Sequence, residues 1–93
     1  MKNDNLQKIA ENVNKLLEEE KNNVFLIKKL IENEHLANKE TLFYDVEYRE
    51  KAKELGDDIQ HLWNTIYMDK LSREEKQEID DFLYNDITYI GFV

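Results

Sequence analysis

The stretch YREKAKELGDDIQHLWNTIY, Tyr48 to Tyr67, decides the fold class. Its apolar residues fall at Tyr48, Ala52, Leu55, Ile59, Leu62 and Ile66. Steps of four and three are the spacing of a helix that buries one narrow face along its length. Trp63, the only tryptophan, widens that face near its end, so Trp63 and Leu62 are expected to be largely buried. Gly56 lies one turn after Ala52 and one turn before Ile59. A glycine in an exposed helix interior costs about 1 kcal/mol relative to alanine. The small pair Ala52/Gly56 instead suggests a place where a neighbouring helix comes close. The helix is expected to start near Asp45, run to about Asp69 and form the centre of the domain.

Upstream, Leu6, Ile9, Ala10, Val13, Leu16 and Leu17 make one helical face, with Asn3 or Asp4 as a cap. Glu18-Glu19-Glu20 and Asn22-Asn23 interrupt it. Val24, Ile27, Leu30 and Ile31, with Phe25 or Leu26, then resume an apolar face with a shifted phase. Both one bent helix over 4–37 and two helices broken near Asn23 fit this pattern. The absence of Gly and Pro slightly favours the continuous helix. Residues 38–41 read as a connection, and Leu42-Phe43-Tyr44 as a loop leading into the central helix.

Downstream, Ser72-Arg73-Glu74-Glu75 fits a capping box. The serine oxygen and the Glu75 carboxylate would each satisfy a free backbone N–H at the helix start. The helix that follows turns Ile79, Phe82 and Leu83 inward and ends at Asn85-Asp86. The tail Ile87 to Val93 is apolar on both faces of any extended form. It is expected to pack on its own domain or on a second copy, with Phe92 as the anchor.

Composition narrows the class. Ninety-three residues with no proline, two glycines and 37% charged residues suit a single all-α domain over 1–93, a small bundle of three or four helices with an apolar C-terminal tail. A chain of this length buries a modest core and often gains by pairing with itself or a partner. No cysteine means no disulfide framework and no thiolate metal site. The first residues lead into an amphipathic pattern rather than an apolar core, so no secretory signal is expected and a cytoplasmic location is. Val24 to Ile27, the longest apolar run considered, is far too short to cross a bilayer.

The net charge of −8 is unevenly placed: residues 1–40 carry −1 and residues 41–93 carry −7. That balance counts against direct nucleic-acid binding, which needs cations facing phosphates, and against anionic membranes. It permits attraction to a basic partner. Eleven lysines to two arginines, with ten asparagines, hint at AT-rich coding.

No constellation points to catalysis. Glu32…His35 and Asp58…His61 have the acid-x-x-His spacing of di-iron helix pairs. His61 falls among Glu54, Asp57 and Asp58, away from the core. His35 follows Ile31 by one turn and is expected to be partly buried near a helix end. Both are read as structural or solvated, so no metal is assigned. Ser72 is explained by capping, and no glycine-rich loop offers a phosphate site. The five tyrosines lack the basic groove of a single-strand binder and are read as core edge or interface. The chain is therefore read as no enzyme, with no cofactor.

Two acidic stripes are more informative. Glu47, Glu50, Glu54, Asp57 and Asp58 share one side of the central helix, and Glu74, Glu75, Glu78 and Asp81 line the last one. A solvated face is the plainest account of such stripes. The functional account is a docking surface in which carboxylates on a rigid helix occupy the places of phosphates in a basic groove. Lys51, Lys53, Lys70 and Lys76 interrupt the charge. In size, acidity and composition the chain resembles small inhibitors encoded by phages and mobile elements, such as anti-CRISPR, anti-restriction and anti-sigma proteins; the resemblance is of general character and carries no motif. It implies a non-catalytic inhibitor that masks a basic or nucleic-acid-binding site on a protein partner. The two stripes and Phe92 are the partner-binding candidates. An antitoxin or immunity protein, and a self-assembling scaffold module, are the alternatives.

Overall fold

A computed structural model of the chain describes residues 2–43 and 45–87. Four α-helices follow one another: α1 (Lys2–Glu19), α2 (Asn23–Lys39), α3 (Val46–Lys70) and α4 (Arg73–Phe82). A 3₁₀ turn, Glu40–Leu42, joins α2 to α3, and a π-helical turn, Leu83–Ile87, continues α4. No strand occurs among the described residues, so the molecule is an all-α bundle.

The slight preference for one bent N-terminal helix is corrected: the chain breaks at residues 20–22. Asn22 supplies what the break needs. Its side-chain oxygen accepts the Phe25 N–H at 2.9 Å, and its own N–H donates to Glu20 Oε1 at 3.0 Å. An asparagine N-cap satisfies a donor that the start of a helix otherwise leaves open. Gly or Pro was not required. At the other end, α1 begins at Lys2, so Asn3 and Asp4 lie inside its first turn rather than ahead of it.

α1 and α3 both run antiparallel to α2. Asn5 meets Glu40 while Asn12 meets Asn33, and Asn38 lies at Gly56 while Glu34 meets Trp63. One core cluster joins Ile9 and Val13 of α1, Leu26, Leu30 and Ala37 of α2, and Ile59 of α3. A second joins Ile27 and Ile31 of α2 to Leu71 and to Ile79 of α4. A third, at the far end, joins Leu6 to Tyr48 and Ala52, with Phe43 packed edge-on against the Tyr48 ring.

The centre of the bundle is therefore α2, which corrects the placement of α3 there. Leu26, Ile27, Leu30, Ile31, Asn33, Glu34, His35 and Ala37 are all buried, because α1, α3 and α4 each cover a different side of α2. A helix covered on several sides is an interior helix, even though part of its buried surface is polar. α3 has the narrower seam that its spacing predicts. Tyr48, Ala52, Gly56 and Ile59 are buried on it, and Leu62 and Trp63, partly buried, pack against the first cluster.

The local signals at the starts of α3 and α4 hold. Asp45 caps α3, accepting the Tyr48 N–H at 3.1 Å. Ser72 Oγ accepts the Glu75 N–H at 3.2 Å, and Glu75 Oε1 accepts the Ser72 N–H at 2.8 Å, completing the capping box. Ile79 is fully buried and Phe82 and Leu83 half-buried, while the α-helix gives way to the π turn at Leu83, ahead of Asn85. The segment expected to connect α2 to α3 is mostly helical: α2 reaches Lys39 and the 3₁₀ turn follows at once. The expected docking of the tail, with Phe92, falls outside the described residues.

Candidate functional site

The seam of α3 fixes which side of that helix meets water. With Tyr48, Ala52, Gly56 and Ile59 turned to α1 and α2, the positions about half a turn away must face out. Glu47, Glu50, Glu54, Asp57 and Asp58 are all exposed. The structure thus brings together the five α3 candidates on successive turns of one helix. Glu47 is paired with Lys51 across one turn, at 3.8 Å. Glu50, Glu54, Asp57 and Asp58 make no ion pair with another described residue. Arg49 and Lys53 flank the stripe, lining a shallow cleft with Asn38, Thr41 and Val46 as well as Glu50 and Asp57. The outer face is acidic along its middle and bordered by two cations on one side.

The α4 stripe is used differently. Glu75 is half-buried and closes the capping box. Glu78 accepts a 3.0 Å ion pair from Lys28, which ties α4 to α2. Asp81 accepts from Gln77 at 3.1 Å, and Glu74 stands exposed in the first turn, where a carboxylate suits the positive end of the helix dipole. Three of the four candidates therefore already hold the fold together locally. Asp80, outside that stripe, accepts the Tyr67 hydroxyl at 2.8 Å and raises its pKa, the hydrogen bond being the first cause and burial the second.

The buried polar groups lie on α2. Glu34 is 8% exposed and accepts the Trp63 indole N–H at 2.7 Å. Burial raises the Glu34 pKa; the Trp63 hydrogen bond opposes that rise and the Asp57 charge adds to it. Asn33 accepts from Asn12 at 3.1 Å and donates to the Lys29 carbonyl at 2.8 Å, so both ends of its amide are engaged. His35 is buried, more deeply than the partial burial expected; burial first, and Lys39 second, lower its pKa. That favours the neutral imidazole at pH 7. His61 is exposed. The two acid-x-x-His histidines thus sit in different environments. Among the described residues no group of three or more His, Asp or Glu side chains is placed to hold a metal ion.

At the end of the bundle near the 3₁₀ turn, Tyr48 donates its hydroxyl to Glu40, which also accepts from Asn5. Burial, then this carboxylate as hydrogen-bond partner and as charge, pushes the Tyr48 pKa up to about 12. A phenol held so firmly protonated is a structural donor, not a base.

Sequence reasoning passed over Glu34, Asn33 and Glu40. One signal for Glu34 was present: it continues the line Ile27, Ile31 on α2, and a half-buried tryptophan N–H needs an acceptor. Comparison with protein-family models, curated proteins and solved structures finds no match. No helix among the described residues is long and apolar enough to cross a membrane.

Proposed function

We propose that the protein is a non-catalytic inhibitor that binds a protein partner through the outer face of α3 and masks a basic, nucleic-acid-binding site on it. The observation that carries the reading is the group Glu50, Glu54, Asp57 and Asp58: four exposed carboxylates on adjoining turns of one long helix, none paired with a described cation. A helix of 25 residues holds them at fixed spacing, so little ordering is lost on docking. Unpaired carboxylates are open to cations from outside, and the net charge of −8 would speed encounter with a basic surface. The α4 carboxylates belong to the reading as a secondary contribution, since Glu75 and Glu78 serve the fold.

The test is affinity capture from the host cell with two baits, the wild type and the triple reversal Glu50→Lys, Glu54→Lys, Asp57→Lys. All three side chains are exposed, so the fold should survive. The expected result is a nucleic-acid-binding protein held by the wild type and lost by the variant. Its binding should weaken with salt, because exposed charges are screened over about 8–10 Å at physiological ionic strength. A captured partner whose affinity ignores both changes would reduce the stripe to solvated surface.

A further inference from the structure

The cleft between α1 and the C-terminal half of α2 has the opposite character. It measures about 310 Å³, at the small end of ligand clefts and enough for one bulky side chain. Its lining is Asn5, Lys8, Ile9, Leu36, Lys39 and Glu40. Ile9 is 8% exposed and forms the floor; Leu36 leaves 47% of its surface in water. Lys8 and Lys39 approach from different helices, and neither makes an ion pair with a described residue. Glu40, the one carboxylate among the described lining residues, accepts two neutral donors on Oε1, the Tyr48 hydroxyl and Asn5 Nδ2. Lone exposed leucines are ordinary on protein surfaces. Here the leucine shares a cleft with an apolar floor and two lysines that make no ion pair with a described residue, on a molecule that is otherwise strongly acidic.

We propose that this cleft docks an acidic segment of a partner protein, one bulky apolar side chain covering Leu36 and Ile9 while flanking carboxylates meet Lys8 and Lys39. Charge complementarity selects that chemistry: the described lining carries two ammonium groups against one carboxylate, whose Oε1 is turned to Tyr48 and Asn5. A second copy of this chain is disfavoured as the occupant, because it would bring its whole net charge of −8 against this one, whereas a short segment brings only the few carboxylates that meet the lysines. The surface is independent of the acidic face of α3 and opposite to it in sign.

The experiment is a ¹H–¹⁵N NMR titration of the full chain with two synthetic peptides. Both carry the same central phenylalanine; one flanks it with glutamates and the other with lysines. The glutamate peptide should shift the amides of Lys8, Ile9, Leu36 and Lys39 saturably, and the lysine peptide should bind at least about tenfold more weakly. The variant Lys8→Glu/Lys39→Glu should lose the glutamate peptide by a similar factor. Leu36→Ser should also weaken it, with an otherwise unchanged spectrum. The triple reversal on α3 should leave peptide binding intact, which separates this site from the proposed inhibitory face. Equal binding of the two peptides, shifts confined to other helices, or no saturation at millimolar peptide would overturn the proposal. So would cleft shifts that grow with protein concentration alone, since a second copy would then be the occupant.

Discussion

Gly56→Ala puts the packing of α2 on α3 to a quantitative test. A Cβ built at Gly56 would lie 2.6 Å from Asn38 Oδ1, 3.6 Å from Asn38 Cγ and 3.9 Å from Ala37 Cβ. The first distance is a clash; the last is ordinary contact. The obstacle is thus the end of one side chain and not the backbone of α2. Asn38 is half-buried, and its side-chain amide makes no hydrogen bond with a described residue, so it has room and reason to turn away. Two effects of similar size then compete. Replacing a mid-helix glycine by alanine gains about 1 kcal/mol of helix propensity. Pushing Asn38 from its rotamer costs roughly 0.5–1.5 kcal/mol. In the wild-type background the sum should stay within about 1 kcal/mol of zero. In an Asn38→Ala background the clash is gone and Gly56→Ala should stabilise by about 1 kcal/mol, a rise in Tm of about 4–8 °C for a chain of this size. Urea unfolding followed by helical circular dichroism and Trp63 fluorescence completes the double-mutant cycle, and the coupling between the two sites is the quantity read. If Gly56→Ala costs more than about 2 kcal/mol in both backgrounds, the helices meet backbone to backbone and the account given for Asn38 is wrong.

Two further outcomes are expected. Ser72→Ala should destabilise the protein by about 1 kcal/mol through loss of the α4 cap, and an unchanged urea midpoint would refute that assignment. Glu34→Gln tests the buried carboxyl, whose folded pKa is raised by burial. Below the ordinary carboxylate range Glu34 is protonated in both states and carries no charge penalty; stability is lost as pH rises from that range through the raised value. A glutamine side chain there keeps an acceptor for Trp63 and cannot ionise. The variant should therefore equal or exceed the wild type in stability at pH 7, with the difference shrinking toward pH 4; a deficit equal at both pH values would contradict the sign.

The helical class, the α3 seam, the close approach at Gly56, the start of α3 near Asp45 and the Ser72 capping box were legible because each rests on a local rule. Spacing of three and four exposes a buried face, and a cap needs one oxygen near one N–H. The break before α2 was half legible: the asparagines marked it, but counting missing breakers pointed to a continuous helix. A break needs only an alternative acceptor for the first free N–H, and Asn22 provides it. The rank of α2 was missed for another reason. Lys28 and Lys29 interrupt its apolar run, so no broad apolar circumference shows in the sequence. Lys28 instead lies over the Phe82 ring at 5.6 Å and pairs with Glu78, so its stem covers apolar surface while its charge finds a partner on α4.

The polar interior was hardest to read, because its logic is pairwise across helices. Asn12, Asn33, Glu34 and Trp63 each look ordinary alone in sequence. In the fold, Asn12 meets Asn33 across α1 and α2, and Trp63 meets Glu34 across α3 and α2. Sliding α1 by one turn would leave the buried Asn33 Oδ1 without its donor, and sliding α3 would strand the Trp63 indole N–H, at about 1–3 kcal/mol for each unsatisfied group. Leucine and isoleucine seams tolerate such a slide far better, since dispersion and burial are not directional. The two polar contacts therefore fix the register of α1 and α3 on α2. The same constraint holds α3 in place with its carboxylates outward: rotating α3 to bury Glu54 would break the Trp63 hydrogen bond and expose Ile59. The acidic outer face is thus a consequence of how the interior is locked, and its geometry is set before any partner arrives.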